Sequence, residues 1–377
     1  MVWHASLVPA PRSSDFSSHS SERTRATVLV VLTSMARSSG GGYSFAAGLT
    51  RSLGRCPELK LVLVLPRGHS PEDLLPGAQA LPVRPLYGLR RVLRDIALLH
   101  RWADRAGADV VMVPHEWGSR VGRNCRLVTV IQNVLYLHPE GRRLHPIKGW
   151  LMAGIARQTA RFVDESIAVS PTAAELWRRE TGLTSTVLAE GIDDAFISAE
   201  WTPTPGSVLI MTGPHPHKNP TLAHELAERL LNQGVAQRVT VVGLDSPLPH
   251  LRGGQASRVH YLNQVDQVEL VSLLEDATVV AVTSAIESFG LPAFEARAVG
   301  PRVVVGPDTP MAYWLKLDEG LTVTANWQVE YWIGCVASAM ASPPAPRNTS
   351  FSWAAIGKEW SDQVLSWGLD QAGERLA

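Results

Sequence analysis

A turn between two glutamates, Glu287 and Glu295, is the segment of this chain best suited to bind a phosphate. The sequence SAIESFGLPAFEARAVGPRVVVG at 284–306 predicts a strand, a turn and then a helix that Pro292 begins. The free N–H groups of Gly290 and its neighbours then point out of the helix start, where the helix dipole favours an anion. Glu295 lies about one turn into this helix, within reach of vicinal hydroxyls such as those of a ribose. Alternatively, Gly290 and Pro292 only form a turn, and both glutamates are solvated.

This segment resembles the Glu-x7-Glu block of retaining glycosyltransferases with the GT-B fold, of the group 1 or family four type. Members typically read E-G-F-G-L-P-x-x-E-A-x-A-x-G-x-P-V-V, and this chain matches at Glu287, Phe289, Gly290, Leu291, Pro292, Glu295, Ala296, Ala298 and Gly300. It departs at Ser288, where glycine is usual, and at the Gly-Pro join, which is one residue short. The resemblance implies that Phe289, Gly290 and Leu291 form the donor-binding turn, in which Gly290 and Leu291 stabilise a departing diphosphate. It further implies that Glu295 binds the ribose and that Glu287 contacts the donor sugar as a catalytic residue.

A second block, TGPHPHKNPTLAHELAERL at 212–230, resembles the strand, loop and helix in which family members contact the donor diphosphate through a lysine. The resemblance assigns this contact to Lys218, as a donor-binding and catalytic residue. Pro220 begins the helix, which gives a second helix start compatible with phosphate. Most members carry an arginine earlier in this loop, and this chain has none there. Either His215 or His217 replaces it as a hydrogen-bond donor to the donor substrate, or both are ordinary surface residues.

The glycine-rich segment SSGGGYSFAAGLTRSL at 38–53 follows the first predicted strand. It does not fit the pattern G-x-G-x-x-G, so a nicotinamide cofactor is not expected. It resembles the first loop of GT-B enzymes, which assigns Gly42 to the donor site. The alternative is an ordinary flexible loop between a strand and a helix.

Family members often carry a histidine at the end of a central strand of the first domain, near the acceptor and the donor sugar. This chain has Gln132-Asn133 in that place. His138, six residues further on, is the candidate for this catalytic role, and His115 at the end of the preceding strand is the alternative. Near the hinge, LAEGIDDAF resembles the family's P-N-G-V-D turn, with Glu190 in place of the asparagine.

Short apolar runs alternate with helix-length amphipathic segments, which predicts parallel sheets with helices on their faces. The pattern breaks at a Pro-rich linker, 199–206, and then restarts. We therefore predict an α/β fold of the GT-B type, with two Rossmann-like domains, 26–198 for the acceptor and 207–349 for the nucleotide-sugar donor, facing a cleft. A disordered extension is expected over 1–25, and a C-terminal helix over 350–377 that packs back across the hinge. Ligands in such sheets bind at the carboxyl ends of the strands.

Charge and composition narrow the function classes. Lys plus Arg and Asp plus Glu both total 35, and a net charge of zero argues against a nucleic-acid partner. Residues 1–195 carry 24 basic and 17 acidic side chains, and the rest carry 11 and 18, so the halves face different partners or attract each other. The cysteines lack disulfide or metal spacing, no apolar run reaches about 18 residues, and no secretion signal begins the chain. A cytoplasmic location is expected.

Two arginine-rich helices in the basic half are candidates for peripheral contact with the inner face of the membrane. They are predicted over 84–105 and 141–161, and the second holds five basic residues, no acids and Trp150. Such helices lie on anionic lipid with arginines at the headgroups and apolar residues below. The alternative is that both only bury an apolar stripe on the sheet.

These features predict a retaining transferase that moves a hexose from a UDP- or GDP-linked sugar to an acceptor hydroxyl. The acceptor is a saccharide, a lipid-linked molecule or a small molecule, in glycan, glycolipid or secondary-metabolite biosynthesis. Neither a metal nor another cofactor is expected, because Lys218 and the helix-start amides neutralise the leaving group. The missing loop arginine and Gln132 leave open a non-catalytic family member, which binds nucleotide sugar as a sensor or serves as a partner subunit.

Overall fold

The computed structural model describes residues 25–34, 41–122, 124–246 and 258–376, which fold around two parallel β-sheets. The first sheet contains β1 (Ala26–Val31), β2 (Leu59–Pro66), β3 (Gln79–Val83), β4 (Val110–Val113), β5 (Arg126–Ile131), β6 (Glu165–Ala168) and β7 (Thr186–Val187). Their order is β3-β2-β1-β4-β5-β6-β7. The strand order therefore reverses between β1 and β4, and a crevice forms outside the carboxyl ends of strands at such a point.

The second sheet repeats this arrangement. It contains β8 (Ser207–Met211), β9 (Arg238–Val242), β10 (His260–Leu262), β11 (Val279–Val282), β12 (Arg302–Val305) and β13 (Leu321–Val323). The order is β10-β9-β8-β11-β12-β13, and every neighbouring pair is parallel. Its reversal point lies between β8 and β11, so each sheet presents one switch point at its carboxyl edge.

Helices connect the strands and cover the sheets. They are α1 (Gly41–Gly54), α2 (Gly88–Ala106), α3 (Pro139–Leu144), α4 (Pro146–Ala160), α5 (Pro171–Thr181), α6 (Asp194–Ser198), α7 (Pro220–Asn232), α8 (Gln267–Asp276), α9 (Leu291–Val299), α10 (Pro310–Trp314), α11 (Val329–Ala341) and α12 (Trp353–Leu376). Proline stands in the first turn of α3, α4, α5, α7, α9 and α10, where its missing N–H has no helical partner to lose. None of the helices in the described part of the chain is both long and apolar enough to cross a bilayer.

The central strands are apolar on both faces because helices cover both sides of each sheet. In β1, Val28 and Val30 lie in one hydrophobic cluster with residues of α1 and α12. Leu29 and Val31, which point the other way, lie in a second cluster with residues of α2 and α4. The alternation of β-strand side chains thus divides a continuous apolar run between two cores.

The last helix, α12, packs on the side of the molecule that contains the first sheet. The Trp360 Nε1–H group donates to the Ala189 carbonyl at 2.8 Å, and the Trp353 ring lies between α1 and the 188–193 segment. A Cβ at Gly48 would lie 1.7 Å from Trp353 Nε1, and one at Gly191 would lie 2.3 Å from the same ring. Glycine at both positions therefore leaves the space that the indole ring fills.

The predicted α/β fold with two Rossmann-like parallel sheets is confirmed. The sequence pattern missed the strands β3 and β13 and the helices α6, α10 and α11. Strand β3 is an edge strand that contains Pro82, which has no N–H to donate to a ladder. Helix α11 carries a single charged residue, Glu330, so it lacks the polar face by which an amphipathic helix is recognised. Almost all of the extension predicted over 1–25 lies outside the described residues.

Candidate functional site

The carboxyl edges of both sheets border one cleft with a volume of about 700 Å³. The first half of the chain lines it with Ser34, Gly41, Gly42, Tyr43, Tyr87, Pro114, His115, Gln132, Asn133 and Glu190. The second half contributes Lys218, Glu287, Ser288, Phe289, Gly290, Leu291 and Pro292. The size and the position at two switch points are those of a ligand site.

Lys218 and Glu287 form an ion pair in the wall of this cleft, with Nζ 2.6 Å from Oε1. Lys218 ends a short 3-10 turn, Pro216–Lys218, that follows β8. Its carbonyl accepts hydrogen bonds from the Thr212 and Thr283 hydroxyls, which fix the backbone from two strand ends. The two side chains are 29% and 13% exposed, so an incoming anion can compete with the glutamate for the ammonium group.

Helix α9 begins at the same wall, and no side chain caps its first turn. Gly290 at its N-cap has a φ of +94°, and a Cβ there would lie 2.4 Å from Met311 Sδ. Both facts require glycine. The start of α9 carries partial positive charge and no acidic residue, which suits an anion.

Phe289 lines the cleft with little of its side chain. Its ring is only 1% exposed and stacks on Phe294 at 4.1 Å between centroids. Trp314 and Phe351 complete the aromatic cluster around it. The ring thus anchors the turn.

Ser288 joins the two sides of the cleft. Its Oγ accepts a hydrogen bond from the Val134 N–H at 3.1 Å. Val134 belongs to the loop after β5, and Ser288 belongs to the loop after β11. A glycine at 288 has no side chain to make this bond, so the departure from the family pattern adds a direct link between the halves.

His115 occupies the first sheet's side of the cleft at the end of β4. Its ring stacks on Trp117 with centroids 5.6 Å apart, and its Nε2 accepts from Arg91 Nη1 at 3.0 Å. Burial, followed by the charge of Arg91, holds the pKa of His115 well below its usual value. The ring is therefore neutral and carries its proton on Nδ1.

Two buried carboxyl groups accompany Glu287. Burial, and then the charge of Glu287, raise the pKa of Glu190 to about 8, although a hydrogen bond from Gln132 opposes the shift. Burial and the charge of Asp193 raise the pKa of Glu295 to about 7. Glu190 lines the cleft, and Glu295 lies beyond its lining, in α9. The sequence showed Glu190 only as a glutamate in place of the family's asparagine near the hinge. The fold shows that its side chain lines the cleft.

The structure corrects the assignment of His138 to the catalytic centre. His138 is the N-cap of α3, and its Nδ1 accepts from the Glu140 N–H at 3.2 Å. It borders a separate groove beside α5, not the cleft. Its role as a cap follows from the proline after it, which begins the helix at the next residue. The alternative candidate, His115, is the histidine that lines the cleft.

Neither of the two loop histidines lines the cleft. His215 is exposed and stacks on His217, with ring centroids 5.7 Å apart, but it does not line the cleft. Burial, and then the Lys218 charge, lower the pKa of His217 to about 4. Lys218 is the cation that lines this wall of the cleft in the described part of the chain.

Two parallel sheets that share a cleft in this way define a GT-B protein. Both halves of the chain match glycosyltransferase family models: residues 200–353 match the model described as glycosyl transferases group 1. Residues 40–196 match the model described as glycosyltransferase family 4. The glutamate block and Lys218 both lie within the first of these matches.

Solved structures share the fold at low sequence identity. Sucrose-phosphate synthase from Thermosynechococcus elongatus has a TM-score of 0.64 and 14% identity, covering 93% of this chain and 98% of that one. HepE from Anabaena, in complex with UDP and glucose, has a TM-score of 0.61 and 15% identity over the same shares of the two chains. D-inositol 3-phosphate glycosyltransferase of Mycobacterium avium is 32% identical over 102 residues, which is 27% of this chain and 24% of that protein. The match therefore spans about a quarter of the length of this curated relative.

Proposed function

We propose that this chain transfers a sugar from a nucleoside diphosphate sugar to an acceptor hydroxyl in the cleft. The observation that carries the proposal is the Lys218–Glu287 ion pair beside the uncapped start of α9. An ammonium group and a helix start that converge on one space form a site for a diphosphate. The UDP and glucose bound by HepE, a protein of the same fold, support this class of donor.

The proposed reaction breaks the bond between the anomeric carbon and the diphosphate oxygen and forms a bond from that carbon to the acceptor oxygen. Negative charge grows on the departing diphosphate, and the Lys218 ammonium and the N–H groups at the start of α9 stabilise it. As Lys218 turns to the diphosphate, Glu287 is released to accept hydrogen bonds from hydroxyls of the sugar. The departing diphosphate takes the proton of the acceptor hydroxyl, so the chain itself does not need to supply a base.

The finer features of the proposal are a UDP- or GDP-linked hexose, retention of configuration and no metal ion. Retention is supported by the Glu287–Glu295 block of the retaining family. Glu295 is proposed to bind the ribose from α9, and its buried position behind the cleft wall fits a contact with the nucleoside end of the donor. The cationic side chain and helix start perform the charge neutralisation for which other enzymes use a metal.

A peripheral contact with anionic lipid is part of the same proposal. Large exposed hydrophobic side chains lie on α2, α3, α4 and the turn before α2, and we call this set the apolar patch: Tyr87, Leu89, Leu93, Leu144, Ile147, Trp150 and Leu151. Residues of α2 and α4 pack in one core on the same face of the first sheet. Arg90, Arg143 and Lys148 are exposed among them. Apolar side chains rimmed by basic ones suit an anionic bilayer, and Tyr87 also lines the cleft, so a lipid-linked acceptor would enter from this side.

Calorimetric titration with a panel of UDP- and GDP-sugars tests the donor site. We expect one donor to bind the wild type at micromolar strength, and Lys218→Ala to weaken it about 10- to 100-fold, the range for a hydrogen bond to a charged group. Glu295→Ala is expected to weaken it as well. Lys358→Ala is the matched control, because Lys358 is an exposed lysine on α12 paired with Asp362.

Two results would contradict the proposal. If no sugar nucleotide binds, or if Lys218→Ala binds as the wild type does, the glutamate block does not form a donor site in this chain. If a donor does bind, an assay for released free sugar separates an enzyme from a non-catalytic family member. An enzyme releases sugar from the bound donor, whereas a sensor binds the donor without turnover.

A further inference from the structure

Glu190 stands on a segment that the fold holds rigidly. The Leu188 N–H donates to the Ala168 carbonyl at 3.0 Å, and the Ile192 N–H donates to the Phe351 carbonyl at 2.8 Å. The carbonyl of Ala189 accepts from the indole of α12. The backbone on both sides of Glu190 is therefore fixed to different elements, and its side chain, only 3% exposed, is held in the cleft wall.

The charged groups around Glu190 come from both halves of the molecule. Glu287 in the loop after β11 and Glu295 in α9 act on it from the second half, and Glu287 is paired with Lys218. Gln132 at the end of β5 donates a hydrogen bond to the Glu190 carboxyl. On its own segment, Asp193 is paired with Arg51 at 3.1 Å. Ionisation of Glu190 would thus place a second negative charge beside Glu287. The carboxyl groups of the second half oppose this charge, and the Gln132 amide stabilises it.

We propose that the Glu190 carboxyl group, fixed beside Gln132 and Glu287, contacts the donor sugar as a neutral acid that donates a hydrogen bond to a sugar hydroxyl. The proposal rests on the proposed function and adds a sugar contact from the first sheet. The carbonyl oxygen of the acid accepts from Gln132, which leaves its O–H for the ligand. An ionised carboxylate can only accept, so its hydrogen bonds to the sugar would be of the opposite sense. The raised pKa of Glu190, about 8, agrees with a neutral acid at physiological pH.

Donor binding then becomes linked to a proton. The diphosphate brings negative charge into the cleft and draws Lys218 away from Glu287, and both changes disfavour ionisation of Glu190 further. Where the free protein has lost this proton, binding must restore it. Donor affinity is therefore full below about pH 7 and falls about tenfold by about pH 9, because the competent fraction falls by that factor.

The test is calorimetric titration of the full chain with UDP-glucose and GDP-mannose between about pH 7 and pH 9, in two buffers of different ionisation enthalpy. We expect proton uptake on binding near the upper end of this range and very little at the lower end. Glu190→Gln keeps a neutral donor, so it should bind within about threefold of the wild type at neutral pH and lose the fall in affinity around pH 8, while any dependence from Glu295, whose pKa is about 7, remains. Glu190→Ala should bind more weakly at every pH, since it has no donor.

Glu116→Gln is the matched control. Glu116 is also buried with a raised pKa but does not line the cleft, so this variant should keep the pH dependence of the wild type. A pH-independent affinity in the wild type, or the same dependence in Glu190→Gln, would overturn the proposal on Glu190 while leaving the donor site intact. Failure of the wild type to bind either sugar nucleotide would overturn the proposed function, and this proposal with it.

Discussion

The two sides of the cleft are built from different kinds of residue. The donor side, at the edge of the second sheet, presents a lysine, a glutamate and a helix start whose glycine is dictated by its backbone. The acceptor side, at the edge of the first sheet, presents a neutral His115, two amides and a buried Glu190. One side is arranged around charge, and the other around neutral hydrogen-bonding groups.

This difference fits what each side is proposed to bind. A diphosphate is an anion of fixed shape, and few arrangements other than a cation and a helix start bind it well. An acceptor and the sugar of the donor are both recognised through hydroxyl groups whose positions vary between molecules, so neutral hydrogen-bonding groups of varied type are suitable for both. Substitutions on either side test whether charged groups serve one side of the cleft and neutral groups the other.

Gly290→Ala is expected to have the largest effect on the donor side. A side chain at a φ of +94° costs about 1–2 kcal/mol. The new methyl group also overlaps Met311, so we expect the free energy of unfolding to fall by about 2–4 kcal/mol. Donor affinity should fall by tenfold or more, because the start of α9 shifts. Chemical denaturation and donor titration measure the two effects.

Gly154→Ala is the control for this substitution. Gly154 lies within α4, and nothing lies within 4 Å of a Cβ placed there. This change should raise the free energy of unfolding by up to about 1 kcal/mol, since alanine favours a helix over glycine. If Gly290→Ala is as stable as the wild type and binds donor equally well, the turn does not depend on its backbone.

The residues of the donor side could be predicted from the sequence to lie together because they occupy local segments. Glu287, Gly290 and Leu291 lie within five residues, and the local spacing alone determines the turn and the helix start. The acceptor side is assembled from loops after β4, β5 and β7, so its composition depends on strand order. His138 was wrongly placed there because distance along the chain does not show that a residue caps a helix. Burial, and then the charge of Glu287 nearly a hundred residues away, raise the pKa of Glu190, and no local pattern contains that contact.

The apolar patch extends the acceptor side to the surface. Ile147→Asp removes an 87% exposed apolar side chain and adds a negative charge, so we expect binding to vesicles of anionic lipid to fall about tenfold. Co-sedimentation with vesicles that contain phosphatidylglycerol measures this effect. Leu317→Asp is the control, because Leu317 is equally exposed at 89% but lies in the second half of the chain. Equal loss in both variants, or no vesicle binding by the wild type, would show that the patch is not a lipid surface.

His115 and His138 provide a paired test of which histidine serves the acceptor side. His115→Ala removes a neutral ring from the cleft, and we expect donor turnover to fall about fivefold, as for the loss of one hydrogen bond. His138→Ala should leave turnover near that of the wild type and cost about 0.5–1 kcal/mol of stability through the lost cap. Because His115 is neutral well below pH 6.5, its titration should add no inflection to the turnover profile near that pH. The opposite ranking of the two variants would return the catalytic role to His138.

Ser288→Gly should have the smallest effect and is the most direct test of how the two sides are joined. It restores the glycine usual in the family and removes the hydrogen bond from the Val134 N–H, which is worth about 1 kcal/mol. The donor site stays intact in this variant, but its closure against the first sheet is weaker. We therefore expect the Kd of the donor to rise about threefold to fivefold and the free energy of unfolding to fall by up to about 1 kcal/mol. Ser246→Gly, a serine outside the cleft lining, serves as the control for the substitution itself. An unchanged Kd in Ser288→Gly would mean that the two sides bind independently and that this bond is only a contact between loops.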